Sequence, residues 1–244
     1  MDKIITIPII LVVIIAIIAF LIFLKVLKSV VKAIVFALII VIILVAIFGV
    51  IVYTDANKLK SSIDGQKTIL LIKNDSVVAA ANINAGSMDQ MFENGLYEGW
   101  TGQKLSDANI AYKSGKLDQL LTGKGILLTF NYEYLKTDSL ELTTQITLNK
   151  AEIEQILDAK SMAEINPIIE SKNIIKIYAG FSSPDEVKAK VAIRLVAKKL
   201  QSLKMQELAN AINNGDINIL PEFLTIKIIQ YLPESLLNSL AQKK

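Results

Sequence analysis

Residues 33–53 read AIVFALIIVIILVAIFGVIVY, 21 positions without a single charge. At 1.5 Å of rise per residue, such a helix is about 30 Å long, the thickness of the hydrocarbon core of a bilayer. A helix of this length in a soluble protein normally keeps a polar face, and this one has none. Residues 4–24, IITIPIILVVIIAIIAFLIFL, form a second uncharged run of equal length. A cleaved signal peptide fits that run poorly, because its apolar stretch is too long and no A-x-A site follows it. The two runs predict a transmembrane helical hairpin over residues 1–54, with spans 4–24 and 33–53 joined by a basic link, 25–32.

That link, KVLKSVVK, holds Lys25, Lys28 and Lys32 and no acid. Their i, i+3, i+7 spacing places all three on one face of a helical turn at the lipid headgroups. Short loops rich in lysine stay cytoplasmic, and the competing signals are weaker: Lys3 alone at the N-terminus, and Lys58 and Lys60 mixed with Asp55 and Asp64. The expected arrangement is a multi-pass protein of the cell membrane whose following domain is extracytoplasmic.

Charge outside the hairpin is balanced. Four of the 26 basic residues and one of the 23 acidic residues precede Thr54, leaving 22 of each beyond it. A neutral domain lacks the footprint that nucleic-acid binding needs. Arg194 is the one arginine, so bidentate arginine clusters for phosphate are excluded as well. Without cysteine there is no thiolate nucleophile, disulfide or Cys-ligated zinc. Without histidine there is no Ser-His-Asp triad and no imidazole-ligated metal. No cofactor is implied.

Residues 55–66 are polar and read as a linker. Beyond them, 67–244 alternates strand and helix signals. KTILLIK (67–73) is a strand, Asn74-Asp75-Ser76 supplies turn chemistry, and 77–83 returns as the hairpin partner. Further strands are expected at 108–112, 125–132, 140–148 and 173–180. In 140–148, Leu140, Leu142, Ile146 and Leu148 share one face. Helices are expected at 87–95, after Asn149, Ser161 and Ser183 (each followed by glutamate at the capping-box interval), from Lys204 to Gly215, and over 222–232 and 234–241. The apolar stripe of the two closing helices is expected to pack on the sheet. The predicted fold is α+β, a mixed or antiparallel sheet with helices packed on one face.

Several short patterns suggest chemistry, and each has a plainer reading. Tyr132 and Lys136 match Y-x-x-x-K, in which lysine lowers a tyrosine's pKa, but no G-x-G-x-x-G accompanies them. Ser29 and Lys32 match S-x-x-K inside the topology-setting link. Thr122-Gly-Lys-Gly125 lacks the first glycine of a P-loop and reads as a turn. Asp89, Glu93 and Glu98 are acids of the kind found on any solvated surface. No catalytic or metal-binding residue is assigned.

The candidate binding residues are Tyr97 and Trp100, aromatics in the glycine-rich stretch 95–102, and Lys190, Arg194 and Lys198, a basic row at helical spacing. Asn74-Asp75-Ser76 fits the N-glycosylation pattern at a hairpin tip. The functional expectation is a membrane-anchored, non-enzymatic binding or scaffolding domain, with the bilayer and a protein at the membrane surface as partners. Its alternatives are an anchored enzyme or small-ligand receptor, and a subunit of a larger membrane complex.

Overall fold

The computed structural model describes residues 14–21, 30–63, 65–83, 97–121, 123, 125–143, 146–172 and 182–231. The chain divides into two compact units, Met1–Thr54 and Asp55–Lys244. In the first, residues 14–21 are helical (α1), and Ile14, Ile15, Ile17, Ile18 and Leu21 are exposed. A second helix, α2, spans Val30–Ile63. Within it, the most apolar 18-residue window of Ala37–Ser62 has a mean hydropathy of 3.1, and none of that window is buried. Among the described residues it is the one helix long and apolar enough to cross a membrane. One such helix therefore stands where two are expected, because most of span 4–24 lies outside the described residues. Lys25, Lys28 and Ser29 lie outside them too, and Lys32 falls in the first turn of α2.

Where a linker is expected at 55–66, the chain stays helical to Ile63. The Asp55 carboxylate accepts hydrogen bonds from the backbone N–H (2.6 Å) and hydroxyl (2.7 Å) of Thr225. Ala56, Lys58, Leu59 and Lys60, all good helix formers, carry α2 past the uncharged run that ends at Tyr53.

The second unit is built on a five-stranded mixed sheet. Its strands are β1 (Gln66–Lys73), β2 (Ser76–Ile83), β3 (Tyr97–Gly99), β4 (Gly125–Asn131) and β7 (Ile217–Leu220), in the order β3-β2-β1-β4-β7. The β1–β2 hairpin turns through Asn74 (φ 49°) and Asp75 (φ 54°). These two residue types tolerate the left-handed region that a tight hairpin turn demands. β4 lies parallel to β1, and β7 closes the edge antiparallel to β4. A separate two-stranded sheet joins β5 (Ser139–Thr143) to β6 (Ile146–Asn149). The single strand expected at 140–148 is thus a hairpin, with Leu140, Leu142, Ile146 and Leu148 buried together as their alternation requires.

Helices cover both faces of the main sheet, not one. On the first face Ile69, Leu71, Ala79 and Phe130 pack against α5 (Lys150–Asp158), α6 (Met162–Ser171), α7 (Pro184–Ser202) and α8 (Met205–Asn213). On the second, Leu70, Ile72, Ala80 and Leu127 pack against α3 (Gly102–Lys113) and the 3₁₀ turn Leu117–Leu120. The cause lies in the strands themselves. β1 and β4 are continuous apolar runs, so every side chain needs cover, whichever way it points.

Three other elements differ from expectation. Residues 108–112 belong to helix α3, where Ala108 and Ala111 face the sheet three residues apart. Residues 97–99 form strand β3 instead of a loop. Residues 217–220 form β7, a strand with no counterpart in the sequence pattern. The closing helix observed is α9 (Leu224–Gln230), which packs beside α8 instead of lying on the sheet, with Phe223 buried at its start. The elements expected at 87–95, 173–180 and 234–241 lie outside the described residues.

Candidate binding cleft

Strands β1 and β4 run parallel, so their carboxyl ends meet at one edge of the domain, with Ile72 opposite Asn131. The β1–β2 turn and the start of β7 fall at the same edge, since Thr129 pairs with Asn218. Ligands of open sheets tend to settle outside the carboxyl ends of parallel strands, where side chains from several loops converge. Here the convergence leaves a cleft of about 250 Å³. Its wall is mostly polar: Asn74, Asp75, Thr129, Asn131, Glu133 and Asn218, with the aromatic ring of Tyr112 from the end of α3.

Local chemistry fixes these groups. Asn131 ends β4 and caps the short helix α4 (Tyr132–Leu135), its Oδ1 accepting from the Glu133 N–H at 3.0 Å. Asn218 Nδ2 donates to Thr129 Oγ1 (3.2 Å) and to the Gly215 carbonyl (3.4 Å). Gly215 has φ +77°, a conformation glycine adopts without strain, and it turns the chain from α8 into β7. Thr129 is 2% exposed, a hydroxyl held in the wall by Asn218. Glu133 pairs with Lys136 at 2.6 Å.

A second polar cluster lies on the opposite face of the sheet. Lys73, its side chain 9% exposed, donates to Asp158 at 2.6 Å and sits 5.2 Å from the centre of the Tyr132 ring. Lys136 approaches the same ring at 5.7 Å. The Y-x-x-x-K pair is therefore assembled in space. Burial, reinforced by Glu154, which accepts from the hydroxyl at 3.5 Å, pushes the Tyr132 hydroxyl up to about 12. Catalysis by a tyrosinate needs the opposite shift. The cluster anchors β1 to α5.

Compared with protein-family models, curated proteins and solved structures, the chain gives no match. The assignment rests on geometry alone.

The aromatic pair of the 95–102 stretch separates. Tyr97 packs with Ala81, Ala189 and Ile193 against α7, and burial raises its hydroxyl to about 12 despite the nearby Arg194. Trp100 is buried in the core of the other face, with Lys104 4.6 Å above its ring. The glycine between them sits at a close approach. A Cβ on Gly99 would stand 3.0 Å from the Ala189 Cβ, so a side chain there would make β3 or α7 give by a few tenths of an ångström.

The basic row separates as well. Lys198 donates to the Ser139 carbonyl (2.6 Å) and to Thr137 Oγ1 (3.0 Å), strapping the chain where it enters β5. Lys190 is half-buried, and burial together with Arg194 lowers its pKa. Glu98 is exposed and pairs with Lys104 at 3.6 Å. Asp89, Glu93, Thr122 and Lys124 lie outside the described residues. Asn74 is exposed at the hairpin tip, on the rim of the cleft.

No sequence pattern points to Thr129, Asn131 or Asn218. They are ordinary polar residues in separate segments, and the strand carrying Asn218 is four residues long.

Proposed function

We propose that the chain is a two-pass membrane protein, spanning at 4–24 and 33–53, whose extracytoplasmic domain binds a small polar ligand without transforming it. The observation that carries the binding half is the cleft at the carboxyl ends of β1 and β4. Its lining offers amides, hydroxyls and two carboxylates; Glu133 is held by Lys136 and Asp75 is exposed at the turn, which supports binding over acid–base chemistry with a desolvated carboxyl pair. Among the described residues of the second unit, Ile110 and Tyr231 are the large apolar side chains left exposed. Among those described residues the two scattered side chains make no docking patch, which supports the cleft over a protein-binding surface. The exposed apolar side chains of α2 and the lysines of the 25–32 link support the anchor and its orientation.

The chain has no native cysteine, so thiol labelling in intact cells reads orientation cleanly. Ser62 is 8% exposed and a poor reporter, whereas Ser106 on α3 is exposed. Ser106→Cys is expected to react with an impermeant maleimide and Ser29→Cys to be shielded. Labelling at Ser29 with protection at Ser106 places the domain in the cytoplasm.

A further inference from the structure

We infer that the cleft between the β1–β2 turn, β4 and β7 recognises a neutral polyhydroxylated ligand, a monosaccharide or the end of a saccharide chain. The inference rests on the proposed binding role of this cleft and goes on to the chemistry of what fills it.

The hydrogen-bond accounting leads there. Both amide protons of Asn218 are used, on Thr129 and Gly215, which leaves its Oδ1 as an acceptor. Thr129 Oγ1 accepts from Asn218, which leaves the hydroxyl proton to donate. Asn131 Oδ1 is occupied by the Glu133 N–H, which leaves its amide protons to donate. Asp75 adds a carboxylate acceptor, and the Tyr112 hydroxyl either gives or takes a proton. The wall thus keeps both donors and acceptors unspent, and every hydroxyl of a polyol presents one of each.

Charge excludes the neighbouring ligand classes. A phosphate or carboxylate ligand would meet Asp75 and Glu133 with no lysine or arginine in the lining to balance it. A bare cation would find one of those acids already paired with Lys136, and no group of three acids among the described residues suits a metal. An apolar ligand would strip water from the buried Thr129 and the three asparagines without replacing it. The volume, about 250 Å³, suits a single sugar ring, and Tyr112 brings an aromatic side chain, a common neighbour of sugars, to the lining.

The test is a titration of the full chain, labelled with 15N-asparagine, in polyoxyethylene-ether micelles, which carry no sugar. The probes are glucose, galactose, mannose, N-acetylglucosamine, inorganic phosphate and tetramethylammonium, each raised to tens of millimolar. The side-chain amide signals of Asn131 and Asn218 are expected to move in a saturable way with at least one sugar and with neither ion. Asn218→Ala is expected to weaken that binding about tenfold. Asp75→Asn, an exposed turn position, serves as a second variant should loss of Asn218 unfold β7. It should weaken binding severalfold with the melting curve unchanged. Movement with phosphate or tetramethylammonium and with no sugar overturns the saccharide assignment while leaving the cleft a binding site. Silence with all six probes overturns the binding role itself.

Discussion

The two faces of the main sheet are built from the same strands yet end differently. On the first, four helices pack against the strands, and Lys73 and Tyr132, two of the ionisable side chains buried there, are drawn into contacts with Asp158 and Glu154. On the second, among the described residues, α3 and one 3₁₀ turn provide the helical cover. Where that cover stops, the strands switch from leucine and isoleucine to Thr129, Asn131 and Asn218. A polar side chain is cheap only where water, a ligand or another protein group bonds to it, as Asn82 bonds Thr68 deeper on this face and Asn218 bonds Thr129 at the cleft. The change of residue type along one face coincides with the place where, among the described residues, no helix lies on the strands, and the cleft occupies that place.

Deep substitutions test the difference most severely. Phe130 and Leu70 are both essentially inaccessible, one on each face. Phe130→Ala is expected to cost about 3–5 kcal/mol, and Leu70→Ala about 2–5 kcal/mol, toward the lower end because a face covered by α3 alone can collapse on the gap more readily. Denaturant unfolding of the full chain measures both. Equal losses would mean that the thinner cover packs as firmly as the four helices.

A smaller effect is expected at the contact of β3 with α7. Gly99→Val forces a side chain against Ala189 and should cost about 1–3 kcal/mol. Adding Ala189→Gly should recover part of the loss beyond what addition of the two single effects gives. Strict additivity would show that β3 moves away freely and that its close approach to α7 is incidental.

The mildest test is alkaline. Tyr97 and Tyr132 lie on the first face, and burial raises both hydroxyls from the ordinary 10 to about 12. A group whose folded pKa is raised contributes stability that is complete below the unfolded value and fades as pH climbs through the folded one. Stability should therefore fall between pH 10 and 12. Tyr132→Phe should shallow that decline, as followed by urea midpoints across the range. An identical slope in the variant assigns the alkaline loss to other groups.

The sequence makes some of this legible and hides the rest, for physical reasons that differ by element. Asn74-Asp75 announces a tight turn because few other residues accept a positive φ, and the turn is there. Asn149 and Glu152 form a reciprocal capping box, with bonds of 3.0 and 2.8 Å, because both partners lie within one helical turn of each other. Ser183 and Pro184 open α7 on the same local logic. Two-sided cover is also written in KTILLIK and GILLTFN, which do not alternate, although the chain as a whole suggests packing on one face. α3 is hidden because its buried face consists of two alanines, too slight a stripe to outweigh neighbouring β-formers. The cleft is hidden more thoroughly. Its groups come from the β1–β2 turn, the end of β4, the end of α3 and the start of β7, and no local spacing rule connects residues that meet only through strand pairing.

Strand β7 carries one further consequence, for the order in which the domain is made. It is the partner of β4 yet lies almost ninety residues beyond it in the chain, and Thr225, which holds Asp55, follows it. During synthesis β1, β2 and β4 can pair long before β7 emerges, so the hydrogen-bonding edge of β4 waits uncovered while α5 to α8 are still being translated. Such an edge is a template for any passing strand. A nascent domain interrupted before Asn218 would lack its cleft wall and expose a sticky border at the same time, which makes loss of the cleft and aggregation a single event in the life of a truncated chain.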